Sequence, residues 1–131
     1  AILERLRLLP QPVLGFASGS HCVHTTKLLG TCDQVVSLSS GEFCVSQAGE
    51  ACFVGARTAL ELGFVGRLVP DAASLLEECA AFRRRLRTCS GDELRHMKLS
   101  LQGAREYFLE DALAVARPQQ QQPAAPAAAG R

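Results

Sequence analysis

No stretch of the sequence approaches the ~18–20 uninterrupted apolar residues needed to cross a bilayer, so a helical membrane span is not expected. An excess of charge is missing too. Fourteen Lys and Arg stand against 13 Asp and Glu, a formal net charge of +1, and nothing in that balance calls for nucleic acid as a partner. The opening residues, AILERLRLLPQP, lack the basic region, apolar region and cleavage site of a secretory leader. The six cysteines, at 22, 32, 44, 52, 79 and 89, include no CxxC pair. With no leader and apolar surroundings, they read as reduced, buried thiols of an intracellular protein rather than a disulfide framework. Apolar periodicity is absent from Pro118 onward, where PQQQQPAAPAAAGR cannot bury enough surface to offset its ordering entropy, so 118–131 is expected to be a disordered tail.

The rest is 131 residues less that tail, one domain's worth, in a chain that is 47% hydrophobic. Ile2, Leu3, Leu6 and Leu9 recur at helical spacing and stop at Pro10, and PVLGFAS then reads as a short buried strand. The segment from Val23 to Thr31 is a short helix with Thr25 or Ser20 as cap. CDQVVSLSS and GEFCVS are strands. Ala56 to Leu62 is a helix closed by Gly63, followed by extended FVGRLVP. Two longer helices are expected: Ala72 to Arg87, and Asp92 to Ala116, the latter capped by Ser90 or Asp92, weakened at Gly103 and stopped before Pro118. Strands alternating with helices argue α/β, without an internal repeat.

The order of these pieces resembles the crotonase, or enoyl-CoA hydratase/isomerase, family. Pro12, Val13, Gly19, Cys32, Asp33 and Phe43 match its strand, loop, helix ending in Cys-Asp, and following Phe without a gap. ALELGFVGRLVPD, Ala59 to Asp71, matches its AxELGLVxxVVP, followed by a Leu-Leu-Glu-Glu helix. The resemblance implies a partial crotonase-like fold over 1–117, with short buried strands and two longer C-terminal helices. It also implies an acyl-coenzyme A thioester as substrate, no other cofactor, and assembly as a homo-oligomer or with crotonase-like subunits. The setting would be fatty-acid metabolism in the cytoplasm or mitochondrial matrix. The chain begins at Ala in mid-pattern and has only eight residues, AGEACFVG, between Gln47 and Ala56, where the family has a loop and helix. It therefore reads as truncated at the front and excised there.

The same register assigns the site. Active family members have three glycines, then Cys and Glu, at the helix start, the middle glycine donating one oxyanion-hole N–H. Here that donor position is His24, the Glu position is Lys27, and a second catalytic Glu falls on Gln47. Both acid/base carboxylates are thus replaced, and His24 brings a Cβ into room that glycine leaves open. The implied outcome is an enoyl-CoA hydratase/isomerase relative that has lost its chemistry, or a pseudoenzyme serving as an interaction module. CoA-binding residues are not assignable from the sequence. Other constellations carry less. His21, Cys22 and His24 lack a fourth metal ligand, so no metal site is expected. Cys22 and His24 do not share a helical face, whereas His24 and Lys27, three apart, could replace the acid/base pair. Arg83, Arg84, Arg85 and Arg87 are read as a solvated helix face, His96 and Met97 as helix packing, and Leu94, Met97, Leu101, Phe108 and Leu109 as an apolar stripe.

Overall fold

Residues 2–116 are described by the computed structural model of the chain; the tail expected over 118–131 lies outside them. Helix α1 (Ile2–Leu8) leads to strand β1 (Leu14–Ala17), the two-residue β2 (Ser20–His21) and helix α2 (Val23–Gly30). Strands β3 (Gln34–Leu38), β4 (Glu42–Gln47) and β5 (Glu50–Gly55) follow, then α3 (Ala56–Glu61), β6 (Arg67–Val69), α4 (Ala72–Arg87) and α5 (Gly91–Gly103). A last helical segment, α6, occupies 109–116.

The strands form two small sheets. One is parallel throughout in the order β1-β3-β6; the other has β2 parallel and β5 antiparallel to β4. Successive residues of a strand face opposite ways, and β3 uses this to join two cores. Val35 joins the main core with Phe43, Val54, Leu29, Ala59, Phe64 and Leu109, while Val36 packs with Val69 and Leu75 and so holds α4 on the sheet's other face. This is a mixed α/β fold of short strands and helices, as expected.

Local chemistry explains the boundaries. Asp71 accepts from the Ser74 N–H at 2.7 Å and starts α4 at Ala72. That bond holds the Asp71 carboxyl below its ordinary range. A reciprocal Ser90–Glu93 capping box starts α5. Gly63, at φ +86°, turns the chain after α3 as expected.

Five expectations need correction. The helix expected from Asp92 to Ala116 is two: α5 stops at Gly103, and residues 105–108 run without helix before α6. The segment read as a remnant of excision, AGEACFVG, is largely strand β5, a hairpin partner of β4. Its two loop residues, Ala48 and Gly49, have φ +52° and +80°, the type I′ pattern that matches strand twist. Burial of the six thiols is realised only at Cys32 and Cys44; Cys22 is exposed. The apolar stripe is not the buried face of α5 either. Leu94, Met97 and Leu101 are half-buried, Phe108 is exposed, Leu109 is buried in the main core but on α6, and the α5 residue that reaches the interior is Lys98, 6% exposed. His96 likewise lies outside, its ring nitrogen on the Asp92 carbonyl at 2.9 Å.

Candidate functional site at the two ends of helix α2

Helix α2 begins at Cys22, whose backbone is extended (φ −71°, ψ 171°) and whose side chain caps no N–H. Neither Thr25 nor Ser20 caps it: Thr25 lies inside the first turn, and Ser20 is paired with Glu42 in the sheet. The first turn carries no acidic residue, so its free N–H groups and the positive end of the helix dipole face outward uncompensated. The Cys22 thiol lies 3.3 Å from the Thr25 hydroxyl. That contact, with the Thr25 N–H, pulls the thiol's pKa below its ordinary value.

His24 and Lys27 are both exposed on this helix. Lys27 lines a cavity of about 510 Å³, within the size range of small-ligand pockets; His24 does not. The cavity runs along α2 past Val23, Thr26 and Gly30, with α1, residues 107–110, Cys44 and Val45 of β4, and Phe64 as its other walls. Its lining is mainly apolar, with Arg7 and Lys27 offset by Glu4 and Glu110. Gln47, at the end of β4, donates from Nε2 to the Glu110 carbonyl at 3.2 Å, and its Oε1 is buried without a hydrogen-bond partner among the described residues. Lys27 and the main chain that holds Gln47 thus border one cavity, and His24 sits one turn away at the helix start.

The C-terminal end of α2 is built differently. The Arg105 guanidinium donates to the Leu29 carbonyl at 2.8 Å and the Cys32 carbonyl at 3.1 Å, over the Phe64 ring at 4.7 Å. A cation on the last carbonyls suits the helix dipole, yet burial lowers the Arg105 pKa from its ordinary value to about 10. Just beyond, Asp33 is wholly buried. Its carboxylate receives the Lys98 ammonium at 2.7 Å, the Gln102 amide at 3.1 Å and the Val13 N–H at 2.8 Å. Gly30 lets residues 105–108 pass close, since a Cβ there would overlap the Tyr107 carbonyl oxygen. Burial pushes the Cys32 thiol and the Tyr107 phenol up.

Sequence reasoning missed Lys98, Gln102, Arg105 and Tyr107. Lys98 and Gln102 stand four apart and reach one carboxylate, a spacing that could have flagged them; Arg105 lies outside any helix and left no periodic signal. The side chains of Arg83, Arg84, Arg85 and Arg87 are exposed as expected. Among the described residues, no group of three or more His, Cys, Asp or Glu side chains converges to hold a metal ion. No helix among them is long and apolar enough to cross a membrane.

No family model matches the sequence, and no curated protein matches it. Solved structures do match in fold. A monofunctional enoyl-CoA isomerase from Mycobacterium smegmatis superimposes with a TM-score of 0.63 at 24% identity, covering 86% of this chain and 66% of that one. An enoyl-CoA hydratase from the same organism gives 0.66 at 20% identity, covering 92% and 56%. An enoyl-CoA hydratase/isomerase family protein from Silicibacter pomeroyi gives 0.67 at 20%, covering 89% and 61%. The chain spans between about half and two thirds of these proteins, and over that span it has their fold.

Proposed function

We propose that this chain is a non-catalytic crotonase-fold protein that holds acyl-coenzyme A thioesters by their acyl chain without hydrating or isomerising them. The observation that carries the reading is the pair at the two carboxylate positions of the family register: an exposed Lys27 and a Gln47 whose amide nitrogen is engaged with Glu110. Hydration needs a base to take a proton from water while the thioester oxygen is stabilised. An exposed ammonium takes no proton, and a carboxamide can hold a water without deprotonating it. The first N–H groups of α2 still favour a polarised oxygen by ~0.3–1 kcal/mol, but the His24 Cβ stands where close approach needs glycine. The apolar cavity beside Lys27 supports retention of an acyl chain. A place in fatty-acid metabolism, in the cytoplasm or mitochondrial matrix, belongs to the same reading.

A second reading, a non-catalytic partner of crotonase-like subunits, is favoured by β1. Its outer edge has no neighbouring strand among the described residues, and Leu14 and Phe16 on it are only half-buried. One experiment separates these. Titrating the full chain with a short enoyl-CoA should give a saturable heat with no loss of enoyl absorbance. Turnover above the buffer rate, abolished by Lys27→Ala, overturns the non-catalytic reading; silence in both channels, with co-sedimentation on a crotonase subunit, favours the second.

A further inference from the structure

The hairpin β4-β5 leaves one strand edge open. The Ala56 N–H bonds the Gly41 carbonyl at 2.9 Å, and antiparallel pairs alternate between bonded and non-bonded. The register then makes Phe43–Val54, Val45–Cys52 and Gln47–Glu50 the bonded pairs within the hairpin. The N–H and C=O groups of Ala51, Phe53 and Gly55 therefore point away from β4, toward an edge with no neighbouring strand among the described residues. The side chains of Ala51 and Phe53 share one face of β5 with the Gly55 position, and all three residues are exposed, Phe53 at 59%; Val54, on the other face, is buried in the core. Edge strands are ordinarily protected by Lys, Pro or a bulge. β5 has none of these; its one charged residue is Glu50, at its start.

We propose that β5 is a self-pairing edge whose occupant is β5 of a second copy of this chain, related by a twofold axis through Phe53. Antiparallel pairing through the outward groups places Phe53 opposite the partner's Phe53 and Ala51 opposite the partner's Gly55, with about six main-chain hydrogen bonds. The two aromatic rings then meet across the strands, flanked only by small residues that leave them room. The ends are complementary. Glu50 falls opposite the partner's Ala56, where α3 begins, and the next residue of that helix is the exposed cation Arg57. No like charges face each other, and each surface is its own complement, as a twofold interface requires.

Sedimentation equilibrium on the full chain tests this with two variants of one residue. The native chain forms a dimer. Phe53→Glu and Phe53→Lys, each placing like charges across the axis, weaken self-association about tenfold or more. An equimolar mixture of the two recovers a dimer, because only a contact between position 53 and its own copy turns opposite charges into a pair. Circular dichroism confirms that both variants keep the native helix and strand content. A native chain that stays monomeric overturns the proposal, as does a dimer indifferent to Phe53→Glu, or a Glu and Lys mixture that fails to associate. Monomers that bind an unrelated extended peptide along β5 overturn it in favour of that occupant.

Discussion

The two ends of α2 are opposites. At its C-terminal end both carboxylate oxygens of Asp33 and two backbone carbonyls are tied to side chains from α5 and the segment beyond it. At its N-terminal end the Cys22 side chain caps no N–H, the first turn has no acid, and His24 stands in solvent. The former end is where the fold is anchored; the latter is left electrostatically open. Cys22 and Cys32, flanking the helix, show the contrast in one residue type: one thiol exposed and acidified, the other buried and pushed up.

The largest effect should come from cutting the anchor on one side. Asp33→Ala leaves the Lys98 ammonium, 7% exposed, without its partner, and an uncompensated buried charge costs ~3–5 kcal/mol. Urea denaturation should show the midpoint falling with little change in slope. Lys98→Met together with Asp33→Ala should recover part of the loss, because the pair removed together leaves no unpaired charge, although the Val13 N–H and the Gln102 amide still lose their acceptor. A single variant as stable as the native chain would dissolve the distinction between the two ends.

Thiol modification reads the same contrast kinetically. Cys22 should react with a disulfide reagent at least about 100-fold faster than Cys32, since thiolate fraction and exposure both favour it and Cys32 must wait for an opening. Cys22→Ser should remove the fast phase, followed by mass spectrometry of the labelled peptides. Equal rates would mean that the anchored end opens as readily as the free one.

Gly30→Ala attacks the anchor by volume rather than charge. The new methyl meets the Tyr107 carbonyl and forces residues 105–108 away from α2, an overpacking cost of ~1–3 kcal/mol. Because Glu110 holds Gln47 through its own carbonyl a few residues later, the variant should also loosen the cavity wall and weaken acyl binding. Asn at 30 should be worse still, and a variant of native stability would mean that this strap is not packed on the helix.

Much of the fold was legible because its signals were local. Helix α4 was read at its observed bounds, Ala72–Arg87, from its own run of residues. The positions His24, Lys27 and Gln47 came from register with a family; His24 lies in the first turn of α2, Lys27 further along it on the cavity, and Gln47 at the end of β4. What escaped was non-local or lacked its usual marker. Strand β5 follows a turn made by Ala48-Gly49 where Asn-Gly is the recognisable form. The break after Gly103 depends on Arg105 reaching back to Leu29 and Cys32, contacts more than seventy residues apart in sequence. A lysine inside a helix pattern reads as surface unless its buried partner, 65 residues away, is already known.

The smallest effect is expected from repairing the open end. Cys22→Asp supplies the missing cap: a carboxylate at that position can accept from the His24 or Thr25 N–H and complements the helix dipole, for a gain of ~0.5–1 kcal/mol in stability. The same change should cost binding, because the carboxylate occupies the donors and the positive field that an acyl oxygen would otherwise use. Cys22→Ser separates the two contributions, capping without charge: it should recover part of the stability and lose less affinity than Asp. Thermal unfolding and titration with an acyl-coenzyme A, run on the three chains together, should therefore rank stability as Asp, Ser, Cys and affinity in the reverse order. If stability rises while affinity stays level, the open N-terminus of α2 is a weak cap and nothing more, and the ligand is held by the cavity walls alone.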